Sequence, residues 1–495
     1  MGLKSLLSLP FAKYIVRKNS IWKNNAVKAQ NNLLLSLTKK AKNTQFGKDH
    51  NFSKITNYKQ WKESVPIRDY EELKNYIQQI IDGKRNVLWP GAPIYFCKTS
   101  GTTSGTKYIP ISKESIKNHI TAARDAILSY IAETKNTSIV NRKMIFLQGS
   151  PALSKTGDIA TGRLSGIVAH HIPSYLTKNQ LPTYNANCIE DWEEKIDAIV
   201  KETLTENMSI ISGIPPWVQM YFEKLQEKTG KLIKDIFPTF DLFIYGGVNY
   251  EPYRKSLEKL IGKKIDSVEL YPASEGFIAY QDSQKEEGML LCVNNGIFYE
   301  FIPSDEFFNE NPTRLSLMDV KISTDYVIIL NTNAGLWGYN IGDTVKFISV
   351  DPYRIIVSGR IKHFTSAFGE HVIAEEVEKA LKEGILQLPC EVNEFHVAPH
   401  VNPDSGLPYH EWLIEFEKEP ENIANFSKAL DDYLQNYNSY YKDLIVGGVL
   451  RPLVIKRISK NGFRSYMKSI GKLGGQNKVP RLANDRKIAD KLKAF

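Results

Sequence analysis

Thr99-Ser-Gly-Thr-Thr-Ser-Gly-Thr-Lys107 is the stretch on which the reading of this chain turns. It follows an apolar run, Pro93 to Cys97, and consists of glycine, hydroxyl residues and one lysine. Such a loop offers unhindered backbone N–H groups, several hydroxyl donors and a fixed positive charge, the groups that hold a polyphosphate. It is not a Walker A loop, which spaces its glycines by four residues and opens a helix with Lys-Ser/Thr. Here three residues separate Gly101 from Gly105, and Pro110 soon follows Lys107. A helix begun at Lys107 would run into Pro110, so the phosphates are expected to meet a loop. A Ser/Gly linker has the same composition, but a linker rarely sits between an apolar strand and a strong helix.

The chain around this loop has 495 residues, too many for one hydrophobic core, so two or three domains are expected. With 42% hydrophobic and 11% aromatic residues it reads as well-packed globular protein, rich in stacking surfaces for flat ligands. Cys97, Cys188, Cys292 and Cys390 form no CxxC pair, which argues against a disulfide framework or a zinc site. No run approaches the apolar length of a membrane span. Lysines interrupt the short apolar start, and Gly2 is followed by Leu6 where myristoylation wants Ser or Thr. The cytoplasm is the expected compartment. The net charge of +9 is concentrated at the ends: residues 1–50 carry ten Lys/Arg against one Asp, and residues 451–495 thirteen against two. Nucleic-acid binding is one meaning of such ends. The C-terminal cations are interleaved with glycines and apolar residues, however, which better suits an end that closes over a nucleotide phosphate.

Periodicity predicts helices over 22–45, from Asp69 to about Ile81, from Ser112 to about Glu133, and over 192–203 and 217–226. These alternate with apolar strands at 144–147, 209–211 and 242–245, an α/β pattern. Short strands then dominate from Asp266 to Phe347, which suggests a mixed sheet and a small barrel. After Ser358-Gly359-Arg360, helices at 374–383 and 423–436 and strands at 394–398 and 412–416 make a small α+β unit, with a boundary near residue 358.

Four further constellations bear chemistry. Tyr245-Gly-Gly-Val248 ends a strand, where paired glycines let a flat ring lie against the backbone; an ordinary turn would look the same. In Tyr271-Pro-Ala-Ser-Glu-Gly276, the tyrosine can stack on a purine and Glu275 can hold Mg²⁺ against phosphate oxygens. In Gly338-Tyr-Asn-Ile-Gly-Asp343, an aspartate closing a turn can accept from both ribose hydroxyls, or simply mark a hairpin. Gly474-Gly-Gln-Asn-Lys-Val-Pro-Arg481 carries Lys478 on a glycine-flanked segment, where its charge can neutralise a phosphoryl centre; alone it would read as a basic tail.

Taken in order, TSGTTSGTK, YPASEG, GYNIGD, SGRIKHF and GGQNKVPR resemble the adenylate-forming superfamily. Within it they resemble the auxin-responsive acyl-acid–amido synthetases, in a bacterial-type form, from Phe46-Gly-Lys-Asp-His50 to Arg481. The resemblance implies an α/β, two-domain adenylate-forming fold. A large N-terminal domain of mixed sheets with a small barrel, 1–357, would bind ATP and the acyl acid. A hinge, 358–363, would lead to a small mobile α+β domain, 364–495, that rotates between half-reactions. It further implies that Ser100, Thr102, Thr103, Ser104 and Lys107 cradle the ATP phosphates. Gly247 and Tyr271 would border adenine, with Ser274 beside them in the nucleotide site, and Glu275 would bind Mg²⁺. Asp343 would hold the ribose, Arg360 and Lys362 would lie in the hinge, and Lys478 would contact the α-phosphate and acyl oxygen. Asn340 stands where many relatives have arginine, and Arg360-Ile-Lys362 looks more like an acyl-CoA ligase hinge.

The implied reaction adenylates a small carboxylic acid and transfers the acyl group to an amino acid. The acid pocket is expected between helix 112–133 and Gly213-Ile-Pro-Pro-Trp217, with Arg124 pairing bidentately with the carboxylate. Trp217 and Tyr184 either line that pocket or pack in the core. An acyl-CoA ligase and a non-enzymatic, basic nucleic-acid-binding protein are the alternatives. The expected partners are small-molecule substrates, with no nucleic acid, and the expected assembly is a monomer or weak dimer.

Overall fold

A computed structural model describes residues 3–100, 106–173, 177–189, 191–247, 250–361, 364–365, 372–401, 403–447, 450–473, 479–483 and 485–495. Its first element is a helix that composition hides, α1 (Leu3–Lys23). Ser5, Ala12 and Ile15 are buried on one side while Leu7, Tyr14 and Ile21 stay exposed, so no single apolar face announces it. The second, α2 (Ala26–Ala41), buries Leu34, Leu37 and Ala41 at helical spacing. α3 (Tyr70–Ile81) starts at a capping box: the Asp69 carboxylate accepts from the Glu71 and Glu72 N–H groups, and Glu72 accepts from the Asp69 N–H.

The phosphate-type loop joins two antiparallel strands, β1 (Tyr95–Ser100) and β2 (Thr106–Ile111), with Ser100 opposite Thr106. Pro110 lies within β2 and pairs with Phe96, so after the loop the chain returns as a strand. α4 (Lys113–Thr134) follows, capped by reciprocal bonds between Ser112 and Ser115. Next come β3 (Lys143–Phe146), β4 (Ser154–Thr156) and β5 (Ile159–Gly162). The smaller sheet has the order β2-β1-β5-β4. Proline is tolerated in β2 because that strand is an edge.

The larger sheet begins with β3 and continues through β6 (Gln180–Leu181), β7 (Met208–Ser212), β8 (Leu242–Gly246) and β9 (Asp266–Ala273). All of these neighbours are parallel. The segments between them supply helices α5 (Trp192–Thr203), α6 (Pro215–Thr229) and α7 (Glu251–Ile261), as parallel connections require. At β9 the direction changes: β10 (Gly276–Tyr280) returns antiparallel after the two-residue turn Ser274-Glu275. The sheet is completed by β11 (Met289–Leu291), β12 (Ile297–Pro303), β13 (Asp325–Thr332), β14 (Tyr339–Val350) and β15 (Tyr353–Arg360). Among the described residues eleven strands pair in the order β12-β13-β14-β15-β11-β10-β9-β8-β7-β3-β6. The strands expected to close a small barrel are therefore the antiparallel half of one sheet. β11 bonds to both β10 and β15 and so carries the sheet onward.

The chain divides into two compact units, one of residues 1–250, 257–341 and 345–356, the other of 251–256, 342–344 and 357–495. Within the second, β16 (Phe364–Thr365) pairs with β17 (Val372–Ile373). α8 (Ala374–Gln387) and α9 (Ile423–Tyr437) pack with the sheet of β18 (Glu391–His400), β19 (Tyr409–Lys418) and β20 (Val454–Ile458). Their shared core holds Val377, Phe395, Trp412, Phe426 and Leu430. Among the described residues no helix is long and apolar enough to cross a membrane.

Candidate nucleotide site

In the first unit, the nucleotide-type residues collect where the large sheet turns from parallel to antiparallel. β8 and β9 run side by side in parallel, Tyr245 opposite Glu269 and Gly246 opposite Leu270, so both C-terminal ends open on the same edge. That edge is where open α/β sheets receive ligands. A Cβ on Gly246 would lie 2.4 Å from the Leu270 carbonyl oxygen, so only glycine lets β8 approach β9 this closely. Gly247 follows with φ +73°, a backbone conformation that favours glycine. One strand over, β9 ends at Ala273 and presents the Ser274-Glu275 turn. Tyr271 is within β9 itself, 7% exposed and packed with Ile278, Ala279 and Ile297.

A second element is tied to this turn. The Cys97 thiol on β1 donates to the Ser274 hydroxyl at 3.1 Å, across 177 positions of sequence. β1 runs three residues beyond Cys97, to Ser100. Burial pushes the Cys97 thiol up to about 12, the Ser274 contact opposes that shift, and the nearby Glu275 carboxylate adds to it. The sulfur is thus a neutral hydrogen-bond donor at ordinary pH and not a nucleophile. Sequence reasoning missed the Cys97 contact with Ser274, because the only sequence signal of Cys97 was negative: it belongs to no CxxC pair.

Lys107 is on β2 opposite Thr99. Its Nζ stands 5.7 Å from the centroid of the Tyr70 ring, a cation–π contact. The Tyr70 hydroxyl accepts from the Tyr108 N–H at 2.9 Å, which fixes the ring, and burial raises its pKa. The lysine that follows the glycine-rich loop is thereby held by α3, not left on a free arm. Among the described residues no three His, Cys, Asp or Glu side chains converge as a metal cage. The half-buried Glu275 carboxylate fits the other mode, in which Mg²⁺ takes one protein carboxylate and completes its shell with phosphate oxygens and water.

Asp343 belongs to the second unit and departs from expectation in its local structure. It is inside β14, a continuous strand from Tyr339 to Val350, and does not close a hairpin turn. Gly342, with φ +83°, absorbs the irregularity that the glycine signalled. Around it the Ile361 N–H donates to the Gly342 carbonyl at 2.7 Å, and the Ser358 hydroxyl donates to Thr344 Oγ1 at 3.1 Å. The Asp343 segment and the Ser358-Gly-Arg360 stretch are thus bonded neighbours. Arg360 is the last residue of β15. Thr102, Thr103, Ser104, Lys362 and Lys478 lie outside the described residues, as do the side chains of Ser100 and Arg360.

Arg124, expected to pair with a substrate acid, is bonded to its neighbour in the chain. Its Nε and Nη2 both donate to Asp125 Oδ1, at 2.9 and 2.6 Å, and Asn19 of α1 donates to Asp125 Oδ2 at 2.9 Å. Asp125 is buried, and a buried carboxylate needs a cation; the neighbouring arginine supplies it. Trp217 is 5% exposed in the first turn of α6, a packed position, while Tyr184 is 56% exposed.

Comparison with known proteins places this geometry. Residues 20–186, 290–360 and 375–487 match the N-terminal, central and C-terminal domains of the GH3 family, in that order. The jasmonoyl–L-amino acid synthetase JAR4 of Nicotiana attenuata is 21% identical over 550 aligned positions, covering 94% of this chain and 93% of the relative. The indole-3-acetic acid-amido synthetase GH3.3 of Arabidopsis thaliana is 21% identical over 548, covering 94% and 90%. Among solved structures, the AtGH3.15 acyl acid amido synthetase in complex with 2,4-DB aligns with a TM-score of 0.81 at 16% identity, over 98% of this chain and 96% of that one. A 2-hydroxyisobutyryl-CoA ligase in its postadenylation state aligns at 0.61 and 12% identity, over 95% and 92%. The adenylate-forming fold is common to all of these structures, and the three domain matches are specific: this chain belongs to the GH3 family.

Proposed function

We propose that the chain is an ATP-dependent acyl-acid–amido synthetase, joining a small carboxylic acid to the amine of an amino acid through an acyl-adenylate. The observation that carries this reading is the Cys97–Ser274 bond, which ties the strand feeding the glycine-rich loop to the turn bearing Glu275. The bond joins strands of two different sheets, and it supports a reading in which a polyphosphate cradle after β1 works beside a metal-type carboxylate on the turn. A carboxylate is a poor electrophile because its leaving group would be oxide. Attack on the α-phosphate of ATP releases pyrophosphate and makes AMP the leaving group. That step depends on position and charge compensation, and no protein nucleophile is required. In this reading Ser100, Thr102, Thr103, Ser104 and Lys107 bind the phosphates, Gly247, Tyr271 and Ser274 border the nucleotide, and Glu275 binds Mg²⁺, which screens the phosphate charge. Asp343 takes the ribose, and Lys478 meets the charge that grows at the α-phosphate. Residues 358–363, with Arg360 and Lys362, act as the hinge of a C-terminal domain. The four free cysteines suit a reducing cytoplasm.

The test is pyrophosphate release with ATP, Mg²⁺ and a panel of aryl and alkyl acids that includes jasmonate, indole-3-acetate and 2,4-DB, the acids named for the relatives. Each acid is run alone, with mixed amino acids, and with CoA. Turnover raised by amino acids, with an amide seen by mass spectrometry, is expected. Turnover raised only by CoA would transfer the chain to the acyl-CoA ligases, the reading that the Arg360-Ile-Lys362 hinge favours. No turnover and no ATP binding would return the basic ends to the nucleic-acid reading.

A further inference from the structure

The outward face of α1 has the composition of a membrane-surface helix, and nothing in the proposed reaction uses it. Leu7, Tyr14 and Ile21, spaced by seven and therefore aligned along one side of a helix, are 57%, 61% and 70% exposed. Leu6 and Phe11, at 62% and 45%, widen the stripe. It runs about 20 Å along the helix and points away from Ser5, Ala12 and Ile15, which anchor α1 to the core. Basic residues border it on both sides. Lys4 and Lys18 share a line with Phe11, and Lys13 and Arg17 stand beyond Leu6, all of them exposed. The helix has no acidic residue, and the first in the chain is Asp49.

We propose that this face docks α1, lying flat, on an anionic lipid surface. Apolar side chains flanked by two rows of cations match the layering of such a surface, where acyl chains lie beneath phosphate headgroups. A second copy of the chain is a poorer occupant. Pairing two of these faces would bring Lys13, Arg17 and Lys18 of each copy together with no carboxylate on the helix to offset them. The charges give long-range attraction, and the apolar stripe supplies the insertion energy. The buried side of α1 stays packed in the first unit, so docking needs no rearrangement of the core.

The experiment is co-sedimentation of the full chain with vesicles of equal parts phosphatidylglycerol and phosphatidylcholine, against vesicles of phosphatidylcholine alone. Binding to the anionic vesicles, weakening as ionic strength rises, is the expected result. Lys13→Gln with Arg17→Gln lowers the partition constant about thirtyfold, from roughly fivefold for each cation near the surface. Leu7→Gln with Tyr14→Gln abolishes binding at the same charge. All four side chains are exposed, so an unchanged melting temperature verifies that both variants fold. Equal binding to the neutral vesicles, or none to either, overturns the proposal. So does a lipid-free dimer that Leu7→Gln with Tyr14→Gln dissociates, because a second copy then covers the face.

Discussion

Removing the Glu300 carboxylate should cost the first unit much of its stability. Glu300 is on β12 and is fully buried. Its oxygens accept from Arg314 Nε and Nη2 at 3.0 and 2.9 Å, a bidentate pair, and from the Tyr58 hydroxyl, Trp61 Nε1 and Asn331 Nδ2 at 3.1, 3.1 and 2.9 Å. Arg314 is itself 11% exposed, and its remaining terminal nitrogen donates to the Val65 and Lys62 carbonyls. One carboxylate therefore holds the segment 58–65, the Arg314 loop and two strands together. In Glu300→Ala the guanidinium keeps its charge with almost no solvent, and breaking a buried pair this way costs about 3–5 kcal/mol. Orphaning the tyrosine, tryptophan and asparagine donors adds to that, at about 1 kcal/mol or more for each that water cannot reach. Against a typical total of about 5–15 kcal/mol, the variant should be marginal. Glu300→Met with Arg314→Met removes both charges at similar volume and should recover part of the loss, although the other donors stay unpaired. Urea denaturation followed by tryptophan fluorescence measures both variants, since Trp61 and Trp337 are buried nearby. A loss under about 1 kcal/mol in Glu300→Ala, or a double variant no more stable than the single, would refute the reasoning.

The remaining predictions concern the nucleotide site. Cys97 should resist maleimide in the native chain, and Cys97→Ala should raise the KM for ATP by about fivefold, the worth of one ordinary hydrogen bond. Cys97→Ser should keep most of the wild-type value, and an unchanged KM in the alanine variant would make the contact merely structural. Glu275→Ala should shift the Mg²⁺ titration of pyrophosphate release to higher concentration; an unshifted curve removes Glu275 as the metal ligand. Lys478→Ala should abolish acyl-adenylate formation while calorimetry still detects ATP binding, and normal adenylate yield would take Lys478 out of the mechanism.

Most of the regular elements were legible because their signals are local. Asp69 with Glu72, and Ser112 with Ser115, announce helix starts within one turn of chain, and both caps form. The helix over 192–203 begins and ends where periodicity puts it. α1 was not legible, because its exposed face is as apolar as its buried one and the 3.6-residue contrast disappears. The return strand after the loop was hidden by Pro110, which signals a break to any local reading and is harmless only because β2 is an edge. How the short strands from 266 to 347 pair was not legible either: at regular spacing they look alike, and only the structure shows them joined to the large sheet through β11.

The site divides along the same line. Phosphate and magnesium chemistry demands particular residue types whatever surrounds them, so Lys107, Glu275 and their motifs can be proposed for it from the sequence. What positions them is set by packing between distant segments, and no motif records it. Cys97 reaches Ser274, and Tyr70 holds Lys107, only once β1 and α3 are in place. Arg124 illustrates the converse: a side chain with the right chemistry for an acid is taken by Asp125, whose burial the sequence does not show. The choice of acid is a property of pocket shape, and so belongs to the part of the molecule that packing decides. Substitutions meant to change it should therefore start from packed side chains, such as the buried Trp217, and leave the motifs proposed to bind ATP untouched.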